Sequence, residues 1–170
     1  NHPLIPHISD YKKEGYKVFA DLKLYDIPNT VLSVIEWLIK KEVDITTIHF
    51  DNKEKCLNKI SHLTSEINIL IVSHLTSLEE NMTRQKSMYA HMCNTPLYFN
   101  FNMVLSPSDL KMFNDFDTEH KFKRYCPGIR LNDREDDQVR TSSPKEAIKN
   151  GADYLIIGRP IRENPIECFL

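Results

Sequence analysis

The sequence predicts an α/β fold built on a parallel sheet, either a (β/α) barrel or a doubly wound sheet. Three observations predict it. Short apolar or β-branched runs alternate with stretches of helical spacing along most of the 170 residues. Some of those runs, Tyr154 to Gly158 above all, are apolar throughout, as strands buried on both faces are. The joins carry helix-entry and helix-exit residues, most clearly Ser143, Pro144, Glu146 and Gly151. Periodicity alone does not choose between barrel and open sheet. The length fits one domain, residues 1–170.

A short helix-like segment precedes Lys17. Lys17 to Lys23 reads as a strand. Val31, Val34, Ile35, Leu38 and Ile39 follow helical spacing. Pro28 suits the entry of that helix, where a missing N–H has no intrahelical partner to lose. Asp44 to His49 is a strand rich in β-branched residues. Leu57, Ile60 and Leu63 mark a weak helix, and Asn68 to Ser73 a short buried strand. The stretch from Glu79 to Pro96 is polar, Met-rich and helical in part. Pro96 to Leu105 reads as strand-like, with Tyr98, Phe99 and Phe101 as core residues. A short helix starts at Ser106, and Phe122 to Cys126 is a strand ending at Pro127. Ser143 can cap the N–H three residues on while Glu146 reaches back, a capping box with Pro144 at the first helical position. Gly151 stands where a helix end wants a left-handed residue. Gly158-Arg159-Pro160 ends the last strand and turns into a short helix.

Composition excludes several classes. The chain is 41% hydrophobic and 27% charged, enough for a core. A net charge of -2 gives no basic field for nucleic acid. Cys56, Cys93, Cys126 and Cys168 are widely spaced, which argues against zinc or redox Cys pairs and favours a reducing, cytoplasmic compartment. The 7 His show no ligand spacing, and His49 reads as a structural histidine. No stretch would span a membrane, and the start lacks the basic and apolar regions of a signal peptide. Position 1 is Asn, so the chain is either processed or part of something longer.

Three constellations carry chemistry. In the first, Asp21 and Lys23 are two apart on a strand, so they project side by side while Leu22 projects among apolar neighbours. Asp26 follows just past the strand end, where barrel active sites lie. A Lys flanked by carboxylates is a cation in place, ready to protonate a carbanion. A solvated surface Asp–Lys pair on an edge strand is the plainer alternative. In the second, Pro127, Gly128 and Arg130 follow one strand, Asp136, Asp137, Gln138 and Arg140 occupy the loop after it, and Gly158 and Arg159 end the next strand. Loops after the last two barrel strands often hold phosphate, which Arg forks and close backbone N–H groups suit. Ordinary solvated arginines near turns remain the alternative. The third is Ser73-His74-Leu75-Thr76-Ser77, whose hydroxyls could bind a polar ring or simply cap a helix.

Taken together, these stretches resemble the orotidine 5′-monophosphate decarboxylase family. Phe19 to Thr30 (Phe-Ala-Asp-Leu-Lys-Leu-Tyr-Asp-Ile-Pro-Asn-Thr) is similar to that family's catalytic phrase. Leu75-Thr-Ser77, Pro127-Gly-Ile-Arg130, Asp137-Gln138 and Gly158-Arg-Pro-Ile161 resemble its later landmarks in the same order, over essentially the whole chain. Barrels acting on sugar phosphates share an Asp-x-Lys-x-x-Asp phrase. Ile27-Pro-Asn-Thr30 and the Pro127 to Arg130 loop favour the decarboxylase.

The resemblance implies a (β/α)8 TIM barrel working as a homodimer without metal or organic cofactor, in the cytoplasm, on a small nucleotide and neither nucleic acid nor membrane. It implies that Asp21 lies near the substrate's leaving carboxylate and that Lys23 protonates C6 of the pyrimidine. Asp26 and Thr30 would reach the partner subunit's site, Thr76 the pyrimidine edge, and Pro127 the base pocket. Arg130, Gln138, Gly158 and Arg159 would hold the phosphate, with Gln138 on a closing loop. The family's first strand carries a ribose-binding Asp and its second a Lys. Nothing before Lys17 reads as either strand, so roughly the first two strands are expected to lie outside this chain. The family's small Gly turn after His49 is replaced by Phe50-Asp-Asn-Lys-Glu54. A catalytically silent remnant that at most binds nucleotide phosphate, and a sugar-phosphate lyase or synthase, are the competing expectations.

Overall fold

The computed structural model describes residues 7–73, 82–130 and 141–163, and its contacts fall into two compact units, 1–72 and 73–170. Among the described residues, no helix is long and apolar enough to cross a membrane.

The first unit runs α1 (Ile8–Lys13), β1 (Phe19–Leu24), α2 (Pro28–Lys40), β2 (Ile45–His49), α3 (Lys53–Ile60) and β3 (Asn68–Val72), with 3-10 turns at Phe50–Asn52 and Ser61–Ser65. The three strands are parallel, in the order β1-β2-β3. Helical spacing on α2 buries Val31, Ile35 and Leu38, and Pro28 stands at its entry. This helix packs against α3, whose Leu57 and Ile60 are buried, and in β3 the residues Ile69 to Val72 are all buried. A strand apolar on both faces is what parallel sheets covered by helices require. Burying each such side chain contributes roughly 1.5–3 kcal/mol.

The sheet's lower edge is held by one carboxylate. Asp44 accepts from Lys12 Nζ at 2.7 and 2.8 Å and from the Val18 N–H at 2.6 Å, tying α1 and the entry of β1 to β2. Burial pushes this carboxyl up. The hydrogen bonds from Lys12 and Val18 and the charges of Lys12 and Lys17 outweigh it and hold the group below its ordinary 3.8. A carboxylate depressed in the folded state stabilises above its unfolded value, and that stability is lost as pH falls through the folded one. Asp44→Asn should therefore cost about 1–2 kcal/mol at neutral pH, read by urea unfolding. The gap to the parent protein should close as the pH is lowered beneath 3.8.

The second unit runs α4 (Met82–Asn94), β4 (Asn102–Val104), α5 (Pro107–Asn114), β5 (Arg124–Cys126), α6 (Pro144–Lys149), β6 (Tyr154–Leu155) and α7 (Arg159–Glu163). Its strands are again parallel, in the order β4-β5-β6. Two expectations change here. Pro96–Asn100 is a 3-10 turn rather than strand, because Pro96 sits at its start and Tyr98 tucks back into the core. The Tyr154 to Gly158 run is strand only at its first two residues, and Tyr154 is half exposed, stacked on Tyr125 at 4.4 Å. The pairing extends one step further through the Ile156 N–H to the Cys126 carbonyl at 2.8 Å. Tyr89, Phe113 and Phe122 form the edge-on ring cluster of the core.

The α6 signals are realised with one substitution. Ser143 Oγ accepts from the Glu146 N–H at 3.2 Å, while the Glu146 carboxylate takes its bond from Ser142 Oγ at 3.2 Å. Gly151 has φ 100° and closes the helix, with Gly151 N–H to Ile148 and Ala152 N–H to Ala147. A Cβ there would also stand 2.9 Å from the Arg124 guanidinium. The thiols of Cys56, Cys93 and Cys126 are all free. Burial, with Asp109 nearby, pushes Cys126 up to about 12.

Candidate active site

Asp21 and Lys23 meet as expected, but not by plain strand alternation. Lys23 Nζ donates to Asp21 Oδ2 at 2.6 Å. Between Ala20 and Leu24 the register of β1 against β2 shifts: Ala20 pairs with Thr46 and Leu24 with Ile48. Four steps along β1 thus oppose two along β2, a bulge. Lys23 absorbs it in the left-handed region, φ 49°. Such a conformation is disfavoured for a residue with a Cβ and is found where surrounding structure imposes it. Leu22, expected among apolar neighbours, is instead 49% exposed, because the bulge turns it out.

Side chains replace the ladder bonds lost at the bulge. Thr47, fully buried, accepts from the Lys23 N–H at 2.8 Å and donates to Asp21 Oδ1 at 2.8 Å. Thr46 Oγ1 donates to the Ala20 carbonyl at 3.0 Å. Asn52 Nδ2 donates to the carbonyls of Leu24 and His49, each at 2.7 Å. Sequence reading missed Thr47 and Asn52. The available signal was two consecutive Thr on an otherwise buried strand, where a hydroxyl must find a partner.

Asp26 lies just past β1, exposed, accepting from its neighbour's Ile27 N–H at 2.6 Å. Thr30 is exposed in the first turn of α2. Around them Tyr25, Ile27 and Trp37 expose large apolar surface, and Asn29, Thr30, Ser33, Val34 and Trp37 line a groove of ≈ 430 Å³. His49 packs its ring against Tyr25 at 5.6 Å and accepts at Nδ1 from the Asp51 N–H at 3.2 Å.

In the second unit, Pro127 and Arg130 follow β5, while Gly158 and Arg159 follow β6. Because β5 and β6 are paired, these two stretches leave neighbouring strand ends. Gly128, at φ 75°, lets the first turn back, and Arg130 N–H and Ser142 N–H exchange bonds with Ser142 and Gly128 carbonyls. Gly158 is exposed, with open space where a Cβ would be. Leu75, Thr76, Ser77, Asp137 and Gln138 lie outside the described residues.

An Asp–Lys pair at the C-terminal end of a parallel strand is the arrangement of an α/β enzyme of the barrel class, whose chemistry sits at strand C-termini. The chain belongs to the orotidine 5′-phosphate decarboxylase / HUMPS family, whose sequence profile matches residues 5–166. It is 34% identical over 166 residues to the orotidine 5′-phosphate decarboxylase of Wolbachia pipientis, covering 92% of this chain and 74% of that protein. The Fusobacterium nucleatum enzyme is 33% identical over 185 residues, covering 99% of this chain and 77% of that one. Among solved structures, orotidine 5′-phosphate decarboxylase from Thermotoga maritima superposes with a TM-score of 0.74 over 94% of this chain and 75% of its own, at 24% identity. The Lactobacillus acidophilus structure gives 0.70 over 91% and 71%. The likeness makes the fold that of a (β/α) barrel, of which six strands stand among the described residues.

Proposed function

We propose that the chain performs the decarboxylation of orotidine 5′-monophosphate to uridine 5′-monophosphate and carbon dioxide, a step of pyrimidine biosynthesis. The observation that carries this reading is the Lys23–Asp21 pair, 2.6 Å apart on a bulged strand end. Asp21 sets a negative charge beside the substrate's carboxylate, a repulsion relieved as carbon dioxide leaves. The C6–carboxylate bond breaks, its electron pair stays on C6, and Lys23 delivers a proton there. Water then restores the ammonium. A cation already in place to meet developing negative charge is electrostatic preorganisation. Thr76 sits by the pyrimidine edge and Pro127 lines the base pocket. Arg130, Gly158 and Arg159 hold the phosphate, and Gln138 closes over it, so remote binding energy serves the reacting centre.

The test is the ultraviolet loss of orotidine 5′-monophosphate with purified chain, beside the same protein given hexulose phosphates. Turnover of the nucleotide alone supports the decarboxylase. Turnover of the sugar alone moves the chain to the sugar-phosphate branch, and turnover of neither leaves a silent remnant.

The same reading makes the chain a homodimer in which Asp26 and Thr30 reach the partner's site. Its support is the exposed apolar surface of Tyr25, Ile27 and Trp37 around those two polar groups, since clustered apolar exposure marks an interface. Trp37→Glu should shift the protein to monomer in sedimentation velocity; an unchanged dimer would place the interface elsewhere. Three free thiols support a reducing, cytoplasmic setting.

A further inference from the structure

We infer that Thr47 is a positioning residue for the Asp21–Lys23 pair, and that its hydroxyl holds both the ion pair and the left-handed backbone that presents it. The inference deepens the decarboxylase reading above and rests on it for its kinetic arm alone.

The geometry assigns the hydroxyl two jobs. As acceptor it takes the Lys23 N–H at 2.8 Å, a donor stranded when the bulge carries β1 out of register with β2. As donor it gives its proton to Asp21 Oδ1 at 2.8 Å. The other carboxylate oxygen, Oδ2, is the one that receives Lys23 Nζ at 2.6 Å. Thr47 thus pins one oxygen of the carboxylate so that the other faces the ammonium. Both ends of the i, i+2 pair are held by one atom on the neighbouring strand.

Burial decides how well that atom is held. Asp21 and Lys23 side chains are 48% and 37% exposed, whereas Thr47 is 0% exposed. The charged groups are free to swing in solvent unless something rigid sets them. Thr47 sits mid-strand, paired in register with Leu70 of β3 between Ile69 and Ile71, which are buried. A β-branched side chain in a packed strand has restricted χ1 freedom, so its hydroxyl is a fixed point. Thr46 at the Ala20 carbonyl and Asn52 at the Leu24 carbonyl brace the bulge on either side, but neither touches the ion pair.

Thr47→Val keeps the shape and removes only the hydroxyl. It strands the Lys23 N–H and frees the Asp21 carboxylate to rotate. Thr47→Ser keeps the hydroxyl. The first readout is a crystal structure of each variant, which needs no turnover. Expected is loss of the Asp21–Lys23 contact or of the left-handed Lys23 backbone in Thr47→Val, and retention of both in Thr47→Ser. If Thr47→Val keeps both, the inference is overturned whatever the chain catalyses. The second readout is steady-state kinetics on orotidine 5′-monophosphate. Misplacing a reacting group should lower kcat by ~10–10²-fold with KM changed far less, and serine should restore most of it. A fall confined to KM, or equal losses in valine and serine, would also overturn it. Disturbed geometry in Thr47→Val, together with a parent protein that turns nothing over, would uphold the positioning role and sink the decarboxylase reading instead.

Discussion

Lys23→Ala should lose turnover of orotidine 5′-monophosphate by at least ~10²–10⁴-fold, the range a positioned general acid supplies. The loss should appear in kcat, because the ammonium acts on the carbanion rather than on the bound ground state. Folding should be nearly untouched, since the side chain is partly exposed and its ion pair with Asp21 is solvated. The backbone offers an internal control. Lys23 sits at φ 49°, where a Cβ is strained by ~1–2 kcal/mol. Lys23→Gly should therefore be at least as stable as Lys23→Ala, although glycine in a strand ordinarily costs ~0.5–1 kcal/mol. Equal loss of activity in both, with glycine no less stable in urea, separates the chemistry of the amine from the strain of its backbone. If Lys23→Ala retained turnover, the proposed acid would be wrong.

The largest effect on stability is expected far from that pair, at the base of β5. Arg124 is fully buried, and its guanidinium donates to Asp117 Oδ2 at 2.9 Å, to the Asp117 carbonyl at 3.2 Å and to Asn114 Oδ1. It lies 5.4 Å over the Phe113 ring. Asp117 in turn accepts from the Lys121 N–H at 2.8 Å. Two charges removed from water are tolerable only as a pair. Asp117→Ala leaves the guanidinium buried without its counter-charge and should cost about 3–5 kcal/mol, read by chemical denaturation. Replacing both partners, Arg124→Met with Asp117→Leu, should recover most of that loss, because apolar side chains of similar volume remove the desolvation cost with the attraction. A double variant as unstable as the single would show that the ion pair itself, not its breaking, is what stabilises the unit. Gly151 belongs to the same arrangement, since its missing side chain is the space the guanidinium occupies.

Much of the fold was legible because local chemistry decides it. The alternation of helical spacing with β-branched runs placed α2, β2 and β3 within a residue or two, and Pro28, Ser143 and Gly151 marked helix ends for reasons internal to a few residues. Those residues act through their own φ preference or a hydrogen bond three residues away, so no distant partner is needed to read them. Pro96 to Asn100 shows the complementary case: its aromatics have strand propensity, but core packing of Phe99 against Phe122 takes precedence.

The proposed reacting pair was equally local, since Asp21 and Lys23 stand two residues apart in a phrase resembling one family. How they meet was not. The bulge, the left-handed Lys23 and the exposed Leu22 depend on register against β2, which the sequence of β1 does not carry. Thr47 and Asn52 became visible only when residues 26 and 28 positions away were set beside Asp21 and Leu24. Nothing local marks Arg124 and Asp117 as a pair either; packing encloses both and brings them to 2.9 Å. A buried polar group must find its partner wherever the chain brings one, and that requirement is met in three dimensions, not along the sequence.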